Sequence, residues 1–135
     1  MILGLGSDIV HINRIEELIE KFGEKFINRA FTKDEVEYSK KFGANNSIGK
    51  SSYFAKRFAA KEAFAKAVGT GFRNGLRFAQ IGIVNDAFGK PNLILTGRAL
   101  KILQEMTINN NPPIPFVTLC DDYPIAQATV IISSE

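Results

Sequence analysis

Residues 52–68, Ser-Tyr-Phe-Ala-Lys-Arg-Phe-Ala-Ala-Lys-Glu-Ala-Phe-Ala-Lys-Ala-Val, constrain the fold more than any other stretch of this chain. Alanines and long straight side chains favour a helix, and Gly69-Thr70-Gly71 supplies its stop. On a helical wheel Phe54, Ala55, Phe58 and Ala59 define one sector that needs a core. Glu62 and Lys66 lie roughly 80° and 120° from Phe54, between Phe58 at about 40° and Ala59 at about 140°. Charged groups in such a sector are either half-buried or line a cleft, since burial without partners costs several kcal/mol per ion. The ordinary explanation of the spacing is an i,i+4 ion pair on a solvated face, worth a few tenths of a kcal/mol. Spacing alone leaves both readings open.

A second acid, Asp8, closes an apolar segment that reads as a strand over 2–10, with Gly4 and Gly6 giving room for another backbone or a ligand. A turn or cap aspartate is the ordinary reading of Asp8. Asp8 and Glu62 together suit a hard divalent cation such as Mg²⁺, which takes one or two carboxylates with phosphate oxygens and water. The question is whether the two acids meet.

The other elements follow from periodicity and punctuation. Residues 14–22 read as an amphipathic helix with Asn13 as cap and Gly23 as stop. Thr32 and Glu35 form a capping box that opens a helix to about Phe42. Residues 44–52 read as a flexible loop. Strands are expected over 79–85 and 92–95 around a hairpin turn, a helix from 97 to about 106, and strands over 115–120 and 125–133. Helices early and antiparallel strands late imply one α+β domain over 1–135. Its open sheet edges and apolar face would suit an oligomer.

With 135 residues, 45% of them hydrophobic and 23% charged, the chain has an ordinary globular composition. No run reaches the roughly 18 apolar residues of a membrane span. The single cysteine, Cys120, excludes an internal disulfide. With no leader pattern at the N-terminus, the expected location is cytoplasmic. A net charge of +3 suits an anionic cofactor or acidic partner, but not a dedicated nucleic-acid binder.

Two segments, Gly4-x-Gly6-x-Asp8-Ile9-Val10-x-x-x-Arg14-Ile15 and Arg57-Phe58-Ala59-Ala60-Lys61-Glu62-Ala63-Phe64-x-Lys66-Ala67-x-Gly69-x-Gly71, together resemble the holo-acyl-carrier-protein synthases. These are the short bacterial 4′-phosphopantetheinyl transferases. Gly89-Lys90-Pro91 and Tyr123-x-x-Ala126-x-Ala128 extend the likeness almost to the end of the chain. The resemblance implies the fold of that family, an antiparallel sheet with a long central helix, assembled as a homotrimer with sites between neighbours. It implies transfer of phosphopantetheine from coenzyme A to a serine of acyl carrier protein, in the service of fatty acid biosynthesis.

By the same correspondence Asp8 and Glu62 are the Mg²⁺ carboxylates and Lys66 a phosphate contact, the three forming the catalytic set. Arg57, Lys61, Gly69, Gly71, Gly89, Lys90 and Pro91 are expected to line the cofactor, though Lys61 points about 100° away from Glu62. The family commonly carries a serine strand and a histidine where this chain has Val117-Thr118-Leu119-Cys120-Asp121-Asp122-Tyr123. Thr118 is then the stand-in for the serine. The sole histidine, His11, reads as a helix-start residue, and Cys120 as a small strand residue.

Arg14, Leu18, Lys21 and Lys25 share a sector if the first helix continues past Gly23. This basic stripe around an apolar residue suits the acidic helix of a carrier protein. A solvated face balanced by Glu16, Glu17, Glu20 and Glu24 explains the same residues. A cofactor-binding module without catalysis and a small basic RNA-binding domain are the competing functions. The metal-type acid pair disfavours the first, and the absence of aromatics interleaved on a basic strand disfavours the second.

Overall fold

In a computed structural model describing all of residues 1–135, the chain is built around one helix. Strand β1 (Ile2–His11) leads into helices α1 (Ile12–Phe22), α2 (Glu24–Ala30) and α3 (Lys33–Ser39), then the long α4 (Ser47–Val68). A 3-10 turn (Phe78–Gln80) precedes β2 (Ile81–Asn85) and β3 (Pro91–Leu95); α5 (Gly97–Gln104), β4 (Ile114–Asp122) and β5 (Ile125–Ser133) complete the chain. The strands form two antiparallel sheets, one ordered β1-β5-β4 and the other the β2-β3 hairpin. The α+β class and the central helix are as expected. No helix is long and apolar enough to cross a membrane.

Helix α4 is buried almost all round: Phe54, Ala55, Ala59, Ala60, Ala63 and Phe64 are wholly inaccessible. Burying Phe54 and Phe64 contributes about 1.5–3 kcal/mol each. Its alanines face Ala126, Ala128, Val130 and Ile132, the inward side of β5. Small residues on both surfaces bring helix and sheet close together. Gly4 and Gly6 take this further, since a Cβ at Gly6 would fall on the Ala63 carbonyl oxygen and one at Gly4 on that of Ala67.

Several boundaries move, each for a local reason. The segment from Ser47 to Ser52, expected to be loop, is the first turn and a half of α4. Asn46 caps it by accepting from the Gly49 N–H at 3.0 Å, and Ser51 and Ser52 are buried. Helix α1 starts at Ile12 with His11 in the cap position, while the Asn13 side chain instead accepts from the Tyr123 hydroxyl at 2.8 Å. Gly23 ends α1 with φ 57° and ψ −134°, so α2 is a separate helix and not a continuation. The Thr32–Glu35 capping box is present, but α3 stops at Ser39.

Replacing Gly6 by Val is expected to destabilise the fold by about 3 kcal/mol or more, because the obstruction is backbone. That lowers the unfolding temperature by about 10 °C. Gly43→Ala, whose Cβ meets nothing within 4 Å, should shift it by less than about 2 °C. Equal effects in a thermal melt would contradict this account of the β1–α4 contact.

Candidate active site

The close approach of β1 to α4 brings the two acids together. On β1, Gly4, Gly6, Asp8 and Val10 face the helix, while Leu5, Ser7 and Ile9 face away. Lys66 Nζ, one helical turn beyond Glu62, donates to Asp8 Oδ1 at 3.0 Å and to the Ser7 carbonyl at 3.0 Å. Partial burial raises the Glu62 pKa above its ordinary range, and the Asp8 charge raises it further; Lys66 and Arg14 act in the opposite sense. Asp8, Glu62, Lys66 and Arg14 therefore form one electrostatic cluster, with Asp8 mostly shielded and Lys66 more than half exposed. The wheel position of Glu62 reflects a half-buried place on α4 beside β1, and Lys66 reaches across to that strand.

Gly69 and Gly71 sit beside this cluster. Gly69 caps α4 in the left-handed region at φ 85° and donates its N–H to the Lys66 carbonyl; Gly71, at φ 62°, donates to Ala65. Helix end and turn thus form one rigid border to the site.

Lys61 lies elsewhere, and its expected phosphate contact is corrected. It is wholly buried, its Nζ donating to Glu35 Oε1 at 2.7 Å and to the carbonyls of Ile81 at 2.5 Å and Phe78 at 3.3 Å. Burial lowers its pKa, opposed by Glu35. Arg57 is also in the interior, stacked 3.9 Å above the Tyr53 ring, with Nη2 to Asn85 at 3.4 Å and Nε without a partner. Burial lowers its proton affinity and pushes the Tyr53 hydroxyl up to about 12. Gly89, Lys90 and Pro91 form the hairpin tip just beyond Asn85, where Asp86 Oδ1 accepts from the N–H groups of Phe88 at 2.8 Å and Lys90 at 3.0 Å. Arg57 and Glu62 are five residues apart on α4, about 140° around it, so a single protomer separates the hairpin group from the acid pair.

Thr118 is likewise on the far side of the sheet from Asp8. It pairs with Thr129, which pairs with Ser7, in an outward-facing row. Around that row lie the exposed Leu5, Ile9, Ile114 and Phe116. In the altered segment Asp121 is engaged by Lys56 at 3.0 Å.

Leu18 and Lys25 do share a surface, although the helix breaks between them. With Phe22, Phe26 and Arg29 they line a groove of about 570 Å³ between α1 and α2. Lys21 lies over the Phe22 ring, while Arg14 turns toward Phe58, 5.8 Å from its ring centre. Arg14 thus belongs to the carboxylate cluster and to Phe58, and does not line the groove. Glu35 was missed as anything more than a cap, because the capping box already explained it; a neighbouring Phe22, Phe26 and Arg29 carried no motif at all.

The raised Glu62 pKa has a sign that can be measured. The folded chain holds this proton to higher pH than the unfolded chain, so the contribution to stability is complete below the ordinary 4.5 and is lost as pH rises through the shifted value. In EDTA at pH 7, Glu62→Gln should therefore unfold at a higher temperature than the wild type, with the gap closing as pH falls toward about 4.5. A variant that melts lower at pH 7 would contradict the assignment.

Comparison with known proteins shows which family the chain resembles along its length. Residues 4–128 match the 4′-phosphopantetheinyl transferase superfamily. The chain is 47% identical over 134 residues to the holo-[acyl-carrier-protein] synthase of Nitrobacter winogradskyi, covering 99% of this chain and 96% of that protein. It superposes on the crystal structure of the Neisseria meningitidis holo-[acyl-carrier-protein] synthase with TM-score 0.83 and 42% identity, over 98% of this chain and 99% of the other. A Bacillus anthracis holo-(acyl-carrier-protein) synthase, solved in complex with CoA (3′,5′-ADP), superposes with TM-score 0.78 and 32% identity over 100% of this chain and 99% of the other. With residues 4–128 matched by the family and 47% identity to a relative over 134 residues, the chain belongs to the 4′-phosphopantetheinyl transferase superfamily.

Proposed function

We propose that this protein transfers the 4′-phosphopantetheine group of coenzyme A to a serine of apo acyl carrier protein. The serine oxygen forms a bond to the pantetheine phosphorus as the P–O bond to the adenosine phosphate breaks, releasing adenosine 3′,5′-bisphosphate. The observation that carries this reading is the Asp8–Glu62–Lys66 cluster at the open edge of α4, in a chain of this family.

The donor set fits Mg²⁺: two carboxylates as hard oxygen donors, with the Asp8 charge raising the cost of ionising Glu62, and a partly exposed side for phosphate and water. Asp8 and Glu62 would hold the ion, which when bound supplies charge neutralisation at the pyrophosphate. Lys66 is placed to exchange its Asp8 partner for a phosphate oxygen. Glu62 borders the space the serine hydroxyl would enter and is placed to accept its proton. Backbone N–H groups around Gly69 and Gly71 border the same space.

The hairpin tip and Thr118 are remote from the acid pair within one chain. The exposed apolar face of the β1-β5-β4 sheet supports a homotrimer in which these segments complete a neighbour's site. The α1–α2 groove is the docking surface for the carrier, with Leu18, Phe22 and Phe26 offering apolar contact between Lys25 and Arg29, and Lys21 lying over the Phe22 ring at its side. Serving fatty acid biosynthesis in the cytoplasm accords with that partner and with the one free cysteine.

Incubated with apo acyl carrier protein, coenzyme A and Mg²⁺, the protein should raise the carrier's mass by one phosphopantetheine. The gain should vanish with EDTA and fall at least about 100-fold in rate for Glu62→Gln. No mass gain with the wild type would overturn the reading. Reversing Lys21 and Lys25 to Glu should raise the carrier KM about tenfold or more and leave the coenzyme A KM unchanged. Arg14→Glu should lower kcat, since the Arg14 charge acts on Glu62. Steady-state kinetics with an unchanged carrier KM would exclude this docking surface.

A further inference from the structure

We infer that Glu35 and Lys61 are positioning residues: their buried ion pair fixes the rotation of α4, and with it the direction of Glu62. The inference rests on the transferase reading above. It starts from a contrast within the motif: Lys61 and Glu62 are adjacent, yet Lys61 is wholly buried while Glu62 is partly exposed and feels the Asp8 charge.

The Lys61 ammonium and the Glu35 carboxylate are both wholly inaccessible, so neither can touch a substrate. Each is fully engaged. Lys61 Nζ spends its three donors on Glu35, the Phe78 carbonyl and the Ile81 carbonyl. Glu35 accepts from Lys61 and the Thr32 N–H through Oε1, and from the Ile83 N–H through Oε2 at 2.9 Å. One pair therefore ties together the start of α3, the 3-10 turn, β2 and the middle of α4. An ammonium held by three acceptors at one point of a helix leaves that helix no freedom to rotate there.

Two routes carry this constraint to the acid pair. The first is covalent, since Glu62 follows Lys61 and its direction is set by a fixed 100° step. The second runs through packing: the Phe78 carbonyl accepts from Lys61, and the Phe78 ring stacks on Phe58 with centroids 5.0 Å apart. Phe58 lies one turn before Glu62 on the same face and beneath Arg14. Buried ion pairs are often no more stabilising than apolar residues of the same volume, and their best-attested use is to specify registry. That is the role the geometry assigns here.

The test compares the wild type with Glu35→Gln/Lys61→Met, which removes both charges and keeps the volumes. Transfer kinetics, the unfolding temperature, and the Mg²⁺ dependence of that temperature are measured on each. The expected result is a folded variant whose KM values for coenzyme A and carrier stay within about twofold while kcat falls about tenfold or more. The Mg²⁺ concentration giving half of the thermal upshift should rise about tenfold. Should the double variant not fold, Glu35→Asp, which withdraws the carboxylate by one methylene, should show the same split to a smaller degree. A folded variant with wild-type kcat and Mg²⁺ response overturns the inference, as does a loss of activity that matches the loss of folded protein. A wild-type chain that transfers nothing overturns the transferase reading and this inference with it, whereas an active wild type beside an indifferent variant overturns the inference alone.

Discussion

The separation of β1 from α4 is the dimension on which this molecule depends. With no side chain at Gly4 or Gly6, the strand lies against the carbonyls of Ala63 and Ala67. The alanines of α4 meet the alanines of β5 beside it. Interiors are close-packed, so one added methyl group there moves a whole element and not a single atom. At this separation Lys66 spans the gap to Asp8 and the Asp8 charge is felt at Glu62. A wider gap would leave two isolated acids on two separate elements.

The charges of α4 sort by where their partners lie. Lys61 and Arg57 point into the body of the protein, one fully paired and the other stacked on an aromatic ring. Lys56 reaches Asp121 near the end of β4. Glu62 and Lys66 turn toward Asp8 on β1. Lys56, Lys61 and Lys66 each meet a carboxylate and Arg57 an aromatic ring, which offsets the cost of desolvating charges on so enclosed a helix.

Much of this was legible in the chain. The α4 stop at Gly69, the Thr32–Glu35 capping box, the break at Gly23 and the limits of β5 follow from local rules, and the structure bears them out. The start of α4 was not legible, since Asn45-Asn46-Ser47 and the following serines have loop composition, and only burial of Ser51 and Ser52 explains them as helix. The wheel correctly marked Glu62 as unusual. It could not distinguish Lys61 from a phosphate ligand, because the wheel gives a direction and Glu35, 26 residues earlier, supplies the reason.

Local sequence, then, decides which residues are helix or strand, because caps, stops and periodicity act within a turn or two. Family membership was also readable at that level, in two motifs whose order and spacing survive without any coordinates. Partner choice is a different matter. Whether a lysine meets a carboxylate in the core or one at the surface depends on which elements pack together, and contacts such as Asp8–Lys66 span 58 residues. The fold placed Glu35 under Lys61, put Thr118 on the face opposite Asp8, and set the hairpin tip away from the acid pair. Those are consequences of close packing in three dimensions, a constraint that no window of neighbouring residues contains.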